Sequence, residues 1–195
     1  MNVIYILFSY LMGAISFGIV MSRLFSLPDP RTIGSKNPGA TNVLRTGKKI
    51  AALLTLLGDA LKGSLTVGLA QYFELSPLMV ALVAIATLLG HIFPIYYGFK
   101  GGKGVATAAG ILFMFSWMMG CTVLAIWVAV FIIWRYSSLA AIIAASLSPV
   151  MGFFYAIDFY QLIASSIIAL ILILRHIDNM KRLINGTESS FREKK

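Results

Sequence analysis

Apolar residues run along this chain in long stretches interrupted by short polar breaks, at approximately 3–25, 50–71, 77–98, 104–119, 121–135, 138–156 and 159–175. A helix needs about 20 largely apolar residues to cross a hydrocarbon core of roughly 30 Å. The pattern therefore predicts an all-α polytopic membrane protein with about seven transmembrane helices. The fourth and fifth runs are the weakest. Together they hold about 32 residues around Met119-Gly120-Cys121, room for two short spans or for one span and a re-entrant piece.

Composition agrees with this pattern. Of 195 residues, 59% are apolar and 12% charged, against about a quarter charged in ordinary soluble domains. Spans of this length leave no room for a separate soluble catalytic domain, so residues 1–195 read as one integral-membrane domain whose chemistry comes from the spans and their connections. The single cysteine, Cys121, excludes an internal disulfide and a cysteine-rich metal site. The first apolar run lacks the basic leader of a secretory signal and is expected to be retained.

The net charge of +9 is distributed in a way that argues against a nucleic-acid partner. Basic residues sit in the breaks between apolar runs, not on a solvated face. If 26–49 is cytoplasmic, the cytoplasmic segments carry Arg31, Lys36, Arg45, Lys48, Lys49, Lys100, Lys103, Arg135, Arg175, Lys181, Arg182, Arg192, Lys194 and Lys195. The opposite side then carries only Glu74 and Asp158. This asymmetry predicts an outward N-terminus and a cytoplasmic C-terminus, with the polar tail beyond Gly186 fraying.

Three segments on the basic side combine glycine with small polar and cationic residues. In the first, Gly34-Ser35-Lys36-Asn37-Pro38-Gly39-Ala40-Thr41-Asn42-Val43-Leu44-Arg45, a glycine-rich loop enters a short helix, an arrangement that offers backbone and side-chain donors to an anion. Thr41, Asn42 and Arg45 would share one face of that helix. The alternative is a polar loop held at the headgroups. In the second, Lys100-Gly101-Gly102-Lys103-Gly104 opens an apolar helix without Walker A spacing; it reads either as an anion site or as a tight turn with snorkelling lysines.

The third segment, Arg175-His176-Ile177-Asp178-Asn179 through Glu188, places His176 and Asn179 on one helical face if the last span continues. Asp178 is then expected to pair with Arg175 and Arg182, and Gly186 to stop the helix. Asp59 and Lys62, three apart inside the second span, read as an ion pair. His91 reads as structural, and Arg135-Tyr136-Ser137-Ser138 as facing the polar layer. There is no H-E-x-x-H metal motif, no G-x-S-x-G elbow and no histidine followed by an aspartate five residues on. No side chain stands out as a general base.

The stretches GSKNPGATNVLRTGKK, GHIFPIYYGFKGGKGVATAAG, RYSSLAAI and RHIDNMKRLINGTE, in this order and spacing, resemble the motifs of the bacterial PlsY family of membrane acyl-phosphate:glycerol-3-phosphate acyltransferases. The resemblance covers nearly the whole chain and departs from the family at Lys36, where many members carry a glycine or another small residue. It implies acyl transfer from acyl phosphate to the 1-hydroxyl of sn-glycerol 3-phosphate, yielding lysophosphatidate and phosphate. It further implies no metal, no other cofactor and no obligate protein partner, with membrane lipid as surroundings and a bacterial inner membrane as location.

Carried over by position, the resemblance implies catalytic roles for Ser35, Asn37, Arg45 and His176. It implies substrate binding by Gly34, Thr41, Asn42, Gly101, Gly102, Lys103, Gly104, Ser138 and Asn179, and a more structural part for Glu188. Two mechanisms remain open: the donor's phosphate takes the hydroxyl proton, or His176 does. A small organic-anion transporter is the alternative class, opposed by the lack of internal repeats and by the grouping of polar motifs at one face.

Overall fold

The computed structural model describes residues 2–191; Arg192, Lys194 and Lys195, counted above among the cytoplasmic bases, lie outside them. The described residues form helices and connecting turns, with no strand. In chain order the helices are α1 (Asn2–Gly13), α2 (Phe17–Leu24), α3 (Ala40–Leu44), α4 (Lys49–Tyr72), α5 (Pro77–Ile92), α6 (Val105–Phe115), α7 (Trp117–Trp134), α8 (Ser137–Phe154), α9 (Phe159–Arg175) and α10 (Ile177–Ile184). A 3-10 turn, Ile95–Tyr97, follows α5.

Side-chain chemistry at the helix starts explains several boundaries. Ser76 precedes Pro77 and accepts from the Met79 amide; Asp158 accepts from the Tyr160 amide at 2.8 Å. Both satisfy a first-turn N–H that has no partner within the helix. The same device corrects an expected boundary. The turn at 119–121 does not form, because Ser116 caps the following helix through the Met119 amide (3.4 Å) and draws Gly120 and Cys121 into α7.

The fourth apolar run accordingly supplies only the 11 residues of α6, roughly 16 Å of helix. Among the described residues, four segments are long and apolar enough to cross a membrane: Lys49–Tyr72, Pro77–Tyr97, Trp117–Trp134 and Ser137–Phe154. The pairs α1/α2, bent by 42°, and α9/α10, bent by 54°, bring the number to six. The expected seventh is α6, which at 11 residues is shorter than these and carries the chain from the Lys103 end of the bundle to the start of α7. We read α9 as the spanning part of its pair, since α10 carries Asp178, Lys181 and Arg182.

The distribution of polarity is the reverse of that in a soluble protein. Along α4 the exposed stripe is Leu53, Leu57, Leu61 and Leu65, while the buried face includes Thr55, Asp59, Lys62 and Thr66. Exposed Trp117, Ile132, Ile133, Val150 and Phe153 continue the apolar exterior, which is favourable only against lipid. Several buried hydroxyls are satisfied by carbonyls one turn back, as in Thr55 to Ala51 and Thr87 to Val83. Glycines let backbones touch: a Cβ on Gly13 would lie 2.1 Å from the Thr87 carbonyl oxygen, and one on Gly63 2.3 Å from that of Thr107. Leu88, Ile92, Ile111, Met119 and Ile168 fill the centre.

Candidate active site

The first motif is shaped by one side chain. Asn42, buried on α3, donates to the carbonyls of Pro30 (2.7 Å) and Ile33 (3.1 Å) and accepts from the Ser35 amide at 3.0 Å. Both of its N–H donors are thereby used, so Asn42 builds the loop and has no donor left for a substrate. Gly34, at φ 52, passes so close that a Cβ there would lie 2.4 Å from Asn42 Oδ1. Lys36 is also left-handed (φ 55), a conformation in which glycine is at ease. The loop thus leaves Ser35 exposed, Asn37 half-buried over Gly39 and Arg45 exposed at the end of α3. The Ser35 hydroxyl, the Asn37 amide group and the Arg45 guanidinium make no hydrogen bond or ion pair among the described residues.

The glycine-rich segment differs from expectation. Read as an anion cradle, its amides would be free. Instead, Gly101 N–H donates to the Ile92 carbonyl and Gly102 N–H to that of His91, each at 3.2 Å, closing the C-terminal end of α5. A Cβ on Gly101 would lie 2.1 Å from the His91 oxygen, and one on Gly102 2.2 Å from His91 Nε2. These two glycines are needed for close approach, and their amides are not available to a ligand. Gly104, at φ 94 and packed on Leu88, turns the chain into α6. Lys103 remains as the segment's polar side chain directed at the other motifs.

At the third motif, α9 stops at Arg175 and the chain bends at His176. His176 Nδ1 lies 2.7 Å from the Leu172 carbonyl, so Nδ1 carries the proton and Nε2 keeps its lone pair. Burial, reinforced by the nearby Lys103 charge, lowers the His176 pKa to about 4. The ring is neutral at neutral pH. Asn179 accepts from Lys103 Nζ through Oδ1 and donates to Glu188 Oε1 at 2.6 Å.

Glu188 gathers the cluster. Its Oε1 also accepts from Ser138 Oγ at 2.6 Å, and its Oε2 from Arg182 Nε at 2.8 Å. Burial pushes its pKa up, but the Ser138, Asn179 and Arg182 hydrogen bonds outweigh that effect and hold it below the usual carboxylate value. One residue before Ser138, Ser137 Oγ meets Thr41 Oγ1 at 3.2 Å. A continuous series of contacts thus links α3, the start of α8, the tail, α10 and Lys103. Burial lowers the Lys103 pKa to about 8, partly opposed by Glu188.

Two expectations need correction. Asp178 forms no ion pair among the described residues, because Arg182 turns to Glu188 and Arg175 lies over the Phe93 ring, 6.0 Å from its centroid. Ser138 donates its hydroxyl proton to the Glu188 carboxylate, so toward a substrate it can act only as an acceptor. Sequence reasoning missed Glu188 as a hub and Ser137 as the partner of Thr41. Its available signal was an acid two residues after Gly186, between the basic residues Arg182 and Arg192.

A lipid-facing helical bundle with cations, hydroxyls and a neutral imidazole collected at one end is that of a membrane protein equipped to bind phosphate-bearing molecules. The chain matches the family model for glycerol-3-phosphate acyltransferase over residues 3–186 and belongs to that family. It is 51% identical over 193 residues to the glycerol-3-phosphate acyltransferase of Methylobacillus flagellatus, covering 99% of this chain and 98% of that one. With that of Nitrosospira multiformis it is 54% identical over 188 residues, covering 94% and 93%. It also superimposes on the glycerol 3-phosphate form of PlsY (YgiH), an integral membrane glycerol 3-phosphate acyltransferase, with a TM-score of 0.93 at 35% identity, covering 98% of this chain and 96% of that one. The lysophosphatidic acid form of the same protein gives 0.92 at 34%, covering 98% and 95%. The protein is therefore an integral-membrane acyltransferase, and the transporter alternative falls away.

Proposed function

We propose that this acyltransferase takes its acyl group from acyl phosphate and transfers it, without a metal, to the 1-hydroxyl of sn-glycerol 3-phosphate. The observation that carries the reading is the linked cluster at one end of the bundle, in which Lys103, Asn179, Glu188 and Ser138 join and Thr41 with Ser137 ties in the first motif. Both substrates carry phosphate, and the solved relatives described above are a glycerol 3-phosphate form and a lysophosphatidic acid form. Arg45 and Lys103 neutralise phosphate charge. Ser35 and Asn37, whose polar groups are free, orient the acyl phosphate and its developing oxyanion.

Acyl phosphate is a mixed anhydride with a stable leaving group, so orientation and charge stabilisation replace a strong protein nucleophile. The glycerol oxygen forms the new bond to the acyl carbon, the carbon–oxygen bond to phosphate breaks, and the hydroxyl proton passes to a phosphate oxygen of the donor. His176 is a poor general base for this step, since its pKa is held near 4, well below the operating range that favours proton abstraction. Its Nε2 lone pair instead accepts a hydrogen bond from the substrate. The acyl chain lies between helices, and glycerol 3-phosphate enters from the cytoplasm of a bacterial cell, across its plasma membrane's inner face.

The test uses purified, detergent-solubilised protein, palmitoyl phosphate and labelled glycerol 3-phosphate in the presence of a chelator. Lysophosphatidate forms in stoichiometric balance with phosphate. Activity that requires an added metal, an acyl-CoA or acyl carrier protein removes the proposal.

A further inference from the structure

Inside the bundle, Asp59, Lys62 and His91 are 2%, 2% and 4% exposed, respectively. Asp59 Oδ1 lies 2.9 Å from Lys62 Nζ and 3.5 Å from His91 Nδ1, and His91 Nδ1 is 3.2 Å from Thr107 Oγ1 on α6. Charges at this depth are costly. A buried ion pair is often no more stable than apolar residues of the same volume, so stability alone is a weak account of why they are here.

Their surroundings supply another. Lys62 Nζ donates to the Ile15 carbonyl at 2.6 Å, in the break between α1 and α2. That carbonyl has lost its helical partner, because the Ile19 amide turns to Ser16 instead (3.1 Å). Beyond the break, α2 lies directly beneath the first motif: a Cβ on Gly18 would be 1.9 Å from the Pro38 carbonyl oxygen. On the other side, the His91 ring abuts Gly102, the residue before Lys103, and the His91 and Ile92 carbonyls hold the amides of Gly102 and Gly101. The same three side chains therefore stand behind both the first motif and Lys103.

We propose that Asp59, Lys62 and His91 are positioning residues that set the placement of Lys103 relative to the first motif, and so the enzyme's grip on glycerol 3-phosphate. The proposal rests on the reading of Lys103 as a phosphate ligand. In this proposal none of the three touches substrate: Asp59 holds the Lys62 and His91 side chains, Lys62 holds the Ile15 carbonyl, and the His91 ring packs on Gly102.

The experiment measures kcat and KM for glycerol 3-phosphate at saturating palmitoyl phosphate, together with thermal unfolding. The full-chain proteins are wild type, His91→Ala, Asp59→Leu/Lys62→Met, Lys103→Gln and His91→Ala/Lys103→Gln. In His91→Ala and in the apolar pair, KM rises about tenfold while kcat stays within about threefold, and the apolar pair unfolds no earlier than wild type. Adding His91→Ala to Lys103→Gln costs less than about twofold in kcat/KM, because a residue that works through Lys103 has nothing left to position. Unchanged KM in the folded variants overturns the proposal, as does a His91→Ala loss that is undiminished on Lys103→Gln. If Lys103→Gln itself leaves kcat/KM intact, the reading of Lys103 fails, and this inference fails with it. Where His91→Ala does not fold, Thr107→Val removes only the hydroxyl facing Nδ1, and an unchanged KM in that protein is equally fatal.

Discussion

Lys103, half-buried, and His176, buried, are both nitrogen bases, yet at neutral pH they stand in opposite protonation states. Lys103, with its pKa lowered to about 8, is largely charged at neutral pH and loses its proton as pH rises through 8. The kcat/KM for glycerol 3-phosphate reports the free enzyme, so it is expected to fall above about pH 8. The profile of kcat should hold to higher pH, because bound phosphate favours the charged amine. In Lys103→Arg the descending limb disappears from this range, since guanidinium stays protonated. Lys103→Ala and Arg45→Ala should each reduce kcat/KM by at least about a hundredfold if they clamp developing or resident phosphate charge, with unfolding transitions kept as the control. For His176, a pKa near 4 places no titration between pH 5 and 8. His176→Ala is expected to slow turnover while leaving the shape of the profile over that interval unchanged; a limb present in wild type and lost in the variant would restore His176 as the base.

At the scale of elements, the joint between α5 and α6 shows what the sequence disclosed and what it withheld. Long apolar runs made most helices legible, and Pro38-Gly39 announced the short α3, because these signals are local. The end of α6 was misplaced since Ser116 caps through one hydroxyl inside an otherwise apolar stretch, a feature hydropathy does not register. The glycine-rich loop resembled a cradle because free amides and amides paired to α5 look alike in sequence; only the packed backbone shows that Gly101 and Gly102 are occupied. The cluster around Glu188 was likewise hidden, for it joins segments distant along the chain.

Two glycines separate packing from backbone strain in that account. Gly102→Ala drives a methyl to 2.2 Å from His91 Nε2, so overpacking should cost about 1–3 kcal/mol and shift Lys103. Its KM for glycerol 3-phosphate is expected to rise about tenfold or more. Gly47, at φ 84 with nothing within 4 Å, meets only the left-handed penalty of roughly 1–2 kcal/mol. Gly47→Ala should therefore lower the unfolding temperature without changing KM, and equal kinetic effects of the two substitutions would contradict this division.

The whole molecule adds an orientation. Hydrogen bonds from Arg31 to the Tyr97 carbonyl, between Thr41 and Ser137, and from Lys103 to Asn179 bring the basic connections to one end of the bundle, while Glu74 and Asp158 mark turns at the other. In the proposed orientation, with the lysine- and arginine-rich connections retained on the cytoplasmic side, the site faces the cell interior and a phosphorylated polar substrate reaches Lys103 without crossing lipid. Cys121, exposed on α7, is first replaced by serine, leaving a cysteine-free chain. In that background, Glu74→Cys should react with a membrane-impermeant maleimide on intact cells. Lys48→Cys and Lys100→Cys should react only after permeabilisation, since their connections lie at the basic end. Both parent positions are exposed, so failure to label in intact cells reports sidedness and not burial. The opposite pattern would turn the site outward, and would leave the charge asymmetry without the topological cause assigned to it.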